Sequence, residues 1–272
     1  ELKIPAVGDI TKVMLSMADT NQDVIDLMNY RFTKSKSLGI HSVKNLLLMA
    51  LMDLKGNFAS AMPVMEKLLD VKGNILPLTE DNVDLVGITS SGKKVIGEHQ
   101  LTKCASKIVE VKYDKEITVN PKVIKAVKDA DLIIFSSGSL LTSIVPHLID
   151  KGLVDVINKA KGEKVYICNL FTQPGETDGF TVKDHIGYLE KYLGKGSIDV
   201  VIANDEVISS DLAKKYRNEE QKDPVLLDMH ELDESNIYVI KDKLFTIEDG
   251  WYRHDALKTG YLLFSYLMDG RK

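Results

Sequence analysis

Three continuous apolar runs, each followed by a polar turn, constrain the fold of this chain most strongly. They lie at 131–135, 164–170 and 199–203, and segments with helical apolar spacing separate them. A strand that is buried on both faces has a continuous apolar sequence, and parallel neighbours need a crossover that is usually a helix. The pattern therefore predicts an α/β fold with a doubly wound, mostly parallel sheet and helices on both faces.

The remaining segments show weaker but readable patterns. Helical spacing or a first-turn proline predicts helices at 10–32, 41–54, 57–70 and 121–129, and short β-type runs lie at 75–79, 85–89 and 107–113. Asp9 is placed to cap the first helix, and 41–54, which is apolar almost all round after Asn45, is typical of a buried one. Because no repeat or linker interrupts the chain, we expect one domain over 1–272.

The composition excludes several classes of protein. The chain has 272 residues, 44% of them apolar, and a formal net charge of −5, which argues against a nucleic-acid-binding protein. Two distant cysteines allow no CxxC metal site and favour a reducing compartment, and Cys168 lies in an apolar run as a small buried side chain would. No apolar run is long enough to span a membrane and no signal peptide is visible, so we expect a soluble, cytoplasmic protein.

The carboxyl ends of parallel strands are where ligands bind in such folds. The first run is followed by Ser136–Ser143, a turn of small and hydroxyl residues that opens a helix. Free N–H groups at a helix start favour a phosphate. An equally good interpretation is a tight turn capped by Ser139.

The second run leads into a long polar loop, TQPGETDG at 172–179. Glu176 and Asp178 are two residues apart in it. Two such carboxylates could act as acid and base, bind a divalent metal, or accept hydrogen bonds from sugar hydroxyls. They could also hydrogen-bond within the loop itself.

Several blocks of the sequence together resemble the YvcK/CofD-like family. They are PAVGDI at 5–10, SSGSLLTSIVP at 136–146, CNLFTQPGETDG at 168–179, and Asp184-His185. Arg253-His254-Asp255 is similar to the bacterial YvcK branch, sometimes called gluconeogenesis factor. The resemblance implies a Rossmann-like core. It also implies binding of UDP-sugars, notably UDP-N-acetylglucosamine, in cell-wall morphogenesis during growth on gluconeogenic carbon sources, with cell-wall synthesis proteins as partners.

The chain departs from the family pattern in two places. The family's glycine-rich GGGTG loop and its DDGGSSG segment, expected before Glu1, are not in the sequence, so we expect a segment to precede Glu1. The family's GHxxGN run is present with Ile40 and Lys44 in place of its glycines. Lys44 could still meet a phosphate as a point charge.

The resemblance also implies a set of ligand-binding residues. They are Asp9, His41, Asn45, Gly138, Ser139, Thr142, Ser143, Asn169, Thr172, Gln173, Glu176, Asp178, Tyr216 and Arg253. Arg253 is a candidate for the diphosphate, and Tyr216 or its neighbour Arg217 for stacking on the uracil or ribose.

Three functional hypotheses remain open. The first is a UDP-sugar-sensing regulator without catalytic residues or a bound metal. The second is a transferase like the CofD branch, which moves a phospholactyl group from a nucleotide-diphosphate-linked donor to a deazaflavin precursor, with Mg²⁺ held by Asp178. The third is a scaffold that has lost its nucleotide site. The apolar 261–268 favours a packed terminal helix over part of a homo-oligomer face.

Overall fold

The computed structural model describes residues 7–32, 41–104, 106–233, 235–248 and 250–269, with side chains from residue 10 onward. They form two compact units, one within Glu1–Asn82 and one within Val83–Lys272. Each unit is described by itself, and a single domain over 1–272 stays a prediction.

The first unit is helical. Its helices are α1 (Val7–Ser16), α2 (Gln22–Asn29), α3 (Val43–Lys55) and α4 (Phe58–Leu68). Asn21 and Asn57 cap α2 and α4, because their side-chain oxygens accept backbone N–H groups that helix starts leave unpaired. The buried core includes Met14 and Met65. Asp9 lies within α1, so the prediction that it caps this helix is wrong.

Two other predictions for this unit are wrong. Among the residues of α3, Leu48 is buried, whereas Leu54 is 78% exposed. A helix in a unit this small has neighbours on only part of its surface, so apolar content overstates its burial. Residues 75–79 form no strand. Pro77 lies in this run and has no N–H to donate to a strand ladder.

The second unit contains the nine strands of the described residues. They are β1 (Leu85–Thr89), β2 (Lys94–Ile96), β3 (Ile108–Tyr113), β4 (Leu132–Phe135), β5 (Glu163–Ile167), β6 (Val200–Asn204), β7 (Tyr238–Asp242), β8 (Phe245–Glu248) and β9 (Trp251–His254). The first three form an antiparallel sheet and the last two a hairpin. The other four are parallel and lie in the order β4-β5-β6-β7.

Helices accompany both sheets of this unit. They are α5 (Glu98–Thr102), which packs on β1 and β2, and α6 (Pro121–Asp129), α7 (Lys151–Lys159), α8 (Val182–Leu193), α9 (Ser210–Glu220), α10 (Met229–Leu232) and α11 (Ala256–Asp269). Neighbouring residues of β5 show that both faces are covered, since successive strand side chains point to opposite faces. Val165 packs in a cluster with Tyr216 of α9, whereas Tyr166 stacks on His185 of α8. The prediction of an α/β fold with a mostly parallel sheet and helices on both faces is confirmed.

Local sequence explains where these helices begin. Thr181 and Asp184 form a capping box at the start of α8, and Asn120 caps α6 with Pro121 in its first turn. At the chain end, α11 packs on the sheet through Tyr266 and leaves Tyr261 66% exposed. Among the described residues, no helix combines the length and apolarity needed to cross a membrane.

Candidate functional site

A cavity of about 330 Å³ opens where β4 and β5 end, beside α9 and the β8–β9 hairpin. We call it the carboxyl-end cavity. It is lined by Ser137, Gly138, Ser139, Asn169, Leu170, Phe171, Thr172, Gln173, Tyr216, Glu220, Lys222, Trp251, Tyr252, Arg253 and His254. This position agrees with the sequence-based expectation that ligands bind at the carboxyl ends of the parallel strands.

Aromatic rings form one side of this cavity. Phe171 and Tyr216 stack with ring centroids 4.0 Å apart, and Tyr216 and Trp251 form a T-shaped pair with centroids 5.2 Å apart. The Tyr216 hydroxyl accepts a hydrogen bond from the backbone N–H of Tyr252 at 2.7 Å. Tyr216 is therefore held from two sides. Its neighbour Arg217 pairs with Asp223 and is not among the lining residues.

Two cations line the same cavity. The Lys222 ammonium lies 2.5 Å from a carboxylate oxygen of Glu220, which also lines the cavity. Arg253 is exposed on β9, and no carboxylate of the described residues lies within salt-bridge distance of it. Its guanidinium is free to make paired, charge-assisted hydrogen bonds to a phosphate or carboxylate.

Two buried polar atoms of the lining residues lack a hydrogen-bond partner among the described residues. They are Gln173 Oε1 and His254 Nδ1. Burial lowers the pKa of His254, so its imidazole is neutral near pH 7 and one ring nitrogen is an acceptor. Buried polar atoms are normally paired, so these two mark places where a ligand would complete the site.

Other polar side chains of the cavity bond to the protein itself. Asn169 Nδ2 donates to the Gly138 carbonyl at 2.7 Å, which ties the end of β5 to the end of β4. The buried Thr172 hydroxyl accepts from the Asp223 backbone N–H at 2.9 Å. These two side chains therefore hold the wall of the cavity in place through hydrogen bonds to the backbone of other segments.

Ser139 begins a short helix and is also bound from within. Its hydroxyl donates to the Glu176 carboxylate at 2.8 Å and accepts from the Thr142 N–H at 3.0 Å and the Thr142 hydroxyl at 2.7 Å. The helix that it caps is a five-residue π-helix, Leu140–Ile144. The capping interpretation of this turn is confirmed, whereas phosphate binding there stays a prediction. Thr142 and the exposed Ser143 are not among the lining residues.

The two loop carboxylates have separate structural partners. Glu176 is 7% exposed, and it accepts from Ser139 and from the Leu141 N–H at 3.4 Å. Burial raises its pKa, and these two donors moderate the shift. Asp178 is exposed and accepts from the Gly175 N–H at 2.8 Å. The structure places neither carboxylate in the lining of the carboxyl-end cavity.

Three site residues belong to the first unit, and their part in a site stays a prediction. Asn45 Oδ1 accepts from the Thr11 hydroxyl at 3.0 Å. His41 is partly buried, and the side chain of Asp9 lies outside the described residues. Beside them, Lys44 donates to Asn29 at 2.6 Å, and burial together with nearby Lys12 and Arg31 lowers its pKa. Ile40 also lies outside the described residues.

The sequence missed several lining residues. His254 was visible as the neighbour of Arg253 in a family block, but alternation along a strand predicts that neighbours point to opposite faces, whereas both residues line this cavity. Lys222 and Trp251 carried no signal, because the tertiary fold alone brings them to strands more than 50 residues earlier.

Other chemistry at the cavity is limited by the residues present. Cys168 is buried, and burial raises the pKa of its thiol to about 12, which keeps it neutral and confirms it as a small buried side chain. In the part of the chain that the structure describes, no three His, Cys, Asp or Glu side chains cluster as a metal site would require. Magnesium binding stays a prediction, since Mg²⁺ can be held by one carboxylate and ligand phosphates.

Comparisons with known proteins agree with this fold. The model of the family described as 2-phospho-L-lactate transferase CofD matches residues 1–245. A Bacillus subtilis protein named gluconeogenesis factor is 38% identical over 270 residues, which cover 99% of this chain and 85% of that protein. A relative from Thermotoga maritima is 39% identical over 266 residues, covering 95% of this chain and 82% of the relative.

A solved structure is similar over almost the whole chain. The crystal structure of a UPF0052 family protein from Bacillus halodurans superposes with a TM-score of 0.90 at 33% identity. The match covers 96% of this chain and 84% of the other. The chain therefore belongs to the CofD family, and it is similar to relatives in that family that are named gluconeogenesis factor.

Proposed function

We propose that this protein binds a UDP-sugar, UDP-N-acetylglucosamine, in the carboxyl-end cavity and regulates cell-wall synthesis proteins during growth on gluconeogenic carbon sources, without turning its ligand over. One observation carries the proposal. A single cavity combines an arginine without a carboxylate partner, an aromatic side and two buried polar atoms without partners. The name gluconeogenesis factor, given to the Bacillus subtilis relative, supports the metabolic setting.

The cations account for the diphosphate. Arg253 offers a planar fork of N–H donors that matches phosphate oxygens in pairs, and Lys222 offers a second positive charge on the same lining. A diphosphate between them would also draw Lys222 away from Glu220. Positive charge at this position gives UDP-sugars an advantage over neutral sugars.

The uridine and sugar fit the remaining features. Trp251 is partly exposed and offers apolar ring surface, which suits the face of a pyrimidine. Gln173 Oε1 accepts from the uracil N–H or a sugar hydroxyl, and the neutral His254 accepts from another hydroxyl. A cavity of about 330 Å³ lies within the usual range for small-molecule sites.

The hydrogen bonds that the two loop carboxylates accept support a function without turnover. Glu176 is occupied by Ser139 and Leu141, and Asp178 by Gly175. One lining hydroxyl, that of Ser139, donates to a carboxylate, but the same oxygen also accepts two hydrogen bonds from Thr142 and so has no free lone pair for attack. The site therefore supports recognition better than group transfer.

The test is a thermal-unfolding titration with UDP-N-acetylglucosamine. At a hundredfold excess over the dissociation constant, binding should stabilise the protein by about 2.7 kcal/mol, a rise in Tm of roughly 5–10 °C. Arg253→Ala should remove the shift. Arg217→Ala is the matched control, because Arg217 is an exposed arginine outside the cavity lining, and it should keep the shift.

A second arm separates binding from transfer. The protein is incubated with UDP-N-acetylglucosamine, and the nucleotide is followed by chromatography over many binding lifetimes. Intact ligand is expected. Steady product formation, or a Tm shift that needs GDP and Mg²⁺ instead of the UDP-sugar, would replace the regulator by a transferase. No shift with either nucleotide would leave a scaffold without a nucleotide site.

A further inference from the structure

A second cavity, of about 570 Å³, lies between the start of β3 and one face of α8. We call it the α8 cavity. It is lined by Lys107, Ile108, Val109, Glu176, Phe180, Lys183, Asp184, Gly187, Tyr188 and Lys191. It shares no lining residue with the carboxyl-end cavity, so any ligand there would be a different one.

The cations of this cavity have no opposing charge at bonding distance. Lys107, Lys183 and Lys191 line it, and none forms a salt bridge with a described residue. Lys183 and Lys191 are eight residues apart on α8 and so lie on one face of that helix. The Lys191 ammonium lies 4.6 Å from the centroid of the Tyr188 ring, which fixes it over the cavity wall.

The two carboxylates of the lining are already satisfied. Glu176 accepts from Ser139 and Leu141, and burial favours its protonated form by raising its pKa. Asp184 accepts from the Thr181 N–H at 2.9 Å as part of the capping box of α8. Neither carboxylate pairs with the three lysines. The cavity therefore has three ammonium groups without a carboxylate partner among the described residues.

Tyr188 adds a buried hydroxyl beside the side chain of Tyr192. The residue is 6% exposed, and the centroids of the two rings are 6.0 Å apart. Burial raises the pKa of this hydroxyl, so it remains a neutral donor.

The remaining wall is apolar and open. Ile108 is buried, Val109 is 49% exposed, and the ring of Phe180 is half-buried. Gly187 lies in the interior of α8, where a Cβ atom would meet nothing within 4 Å. Glycine is less favourable than alanine in a helix interior. Because Gly187 has no side chain, space beside α8 stays open to the cavity at this position.

We propose that the α8 cavity binds a small molecule that joins an anionic group, phosphate or carboxylate, to a flat apolar body. The three lysines hold the anion and the Tyr188 hydroxyl donates to it. Phe180 and the first residues of β3 pack on the apolar part. This site does not depend on UDP-sugar binding in the carboxyl-end cavity, and the volume suits a small molecule.

The experiment uses phenyl phosphate as the probe, titrated calorimetrically into the whole chain. Inorganic phosphate and phenol are titrated separately, since each carries half of the required chemistry. Phenyl phosphate should bind at least tenfold more tightly than either. The double variant Lys183→Ala/Lys191→Ala should weaken its binding at least tenfold. The matched control is Lys151→Ala/Lys159→Ala, because that pair of exposed lysines has the same spacing on α7.

A steric variant tests the position of the site. Gly187→Leu should fill the cavity and abolish binding, whereas Gly260→Leu, at the other helical glycine with open space around its Cβ, should not. Three results would overturn the proposal: no binding of phenyl phosphate, equal affinity in Gly187→Leu and Gly260→Leu, or loss of binding in Arg253→Ala. The last would assign the probe to the carboxyl-end cavity, and it leaves the UDP-sugar proposal standing.

Discussion

The carboxylates of the polar loop after β5 and the polar side chains of the rim formed by β9 differ in whether they have hydrogen-bond partners within the protein. In the loop, Glu176 and Asp178 each accept hydrogen bonds from the protein, and Gly175 is pressed against other backbone. At the rim, Arg253 has no carboxylate partner among the described residues and His254 Nδ1 has no hydrogen bond. Gln173, near the start of the loop, resembles the rim, because its side-chain oxygen is also unpaired. A high density of polar residues therefore does not by itself identify the ligand-binding groups, whereas unpaired polar atoms are candidates for them.

Gly175→Ala should give the largest effect. Gly175 has a φ of +78°, and a Cβ there would lie 2.3 Å from the Cys104 carbonyl oxygen. Left-handed backbone costs about 1–2 kcal/mol for alanine and the clash about 1–3 more, so the free energy of unfolding should fall by about 2–5 kcal/mol. Gly179→Ala shares the left-handed backbone, with a φ of +71°, but its Cβ meets nothing within 4 Å. Urea denaturation should show a loss of only about 1–2 kcal/mol for it, and equal losses would contradict the clash.

Glu176→Ala comes next. It removes the acceptor of the Ser139 hydroxyl and the buried Leu141 N–H, and unpaired buried donors of this kind cost about 2–3 kcal/mol together. Asp178→Ala removes one hydrogen bond from an exposed carboxylate and should cost about 1 kcal/mol or less. Chemical denaturation of both variants measures the difference. A larger loss for Asp178→Ala would reverse the ranking of the two carboxylates.

Gln173→Met should not lower the free energy of unfolding, in contrast to the two preceding substitutions. The Gln173 side-chain oxygen is buried without a partner, so a methionine of similar length should leave the ligand-free protein unchanged or stabilise it by up to about 1 kcal/mol. UDP-N-acetylglucosamine binding should weaken in the same variant. Asn169→Leu, which removes the bond to the Gly138 carbonyl, should instead destabilise the protein by about 1 kcal/mol. A destabilised Gln173→Met would mean that this oxygen has a partner.

The smallest effect is a pH dependence. Burial raises the pKa of Glu176, so its contribution to stability is fully present below the unfolded-state pKa and is lost as pH rises through the folded-state pKa. Glu176→Gln cannot ionise. The stability of this variant relative to the native protein should therefore increase from pH 4 to pH 7 in urea titrations. The exposed Glu219→Gln is the control and should show a flat difference, and a flat line for both would remove the burial argument.

The sequence predicted the parts of the fold that follow from local pattern. The apolar runs of β4, β5 and β6 were recognisable because burial on both faces leaves no polar positions. The helix at Pro121–Asp129 was found from its proline. Burial of α3 was overestimated and a strand at 75–79 was wrong, because apolar content alone does not say which neighbours a segment has.

The site was predictable only in part, for a related reason. Arg253, Asn169 and Gln173 do line the cavity. The block at 168–179 that contains Asn169 and Gln173 also supplied Glu176 and Asp178, which hydrogen-bond to the protein instead. Sequence shows which residues can donate or accept and not which have already found a partner. Lys222 and Trp251 reach the cavity through tertiary packing that no local pattern records.

The order of strands along the chain has a consequence for synthesis of the protein. Each parallel strand pairs with the next one made, as in Leu132 with Glu163 and Val165 with Val200, so the sheet can grow strand by strand as the ribosome extends the chain. The rim of the carboxyl-end cavity comes from β9, which is translated after the whole parallel sheet. A nascent chain thus acquires its sheet before it acquires Arg253, so the rim of the cavity is completed only after the sheet has been made.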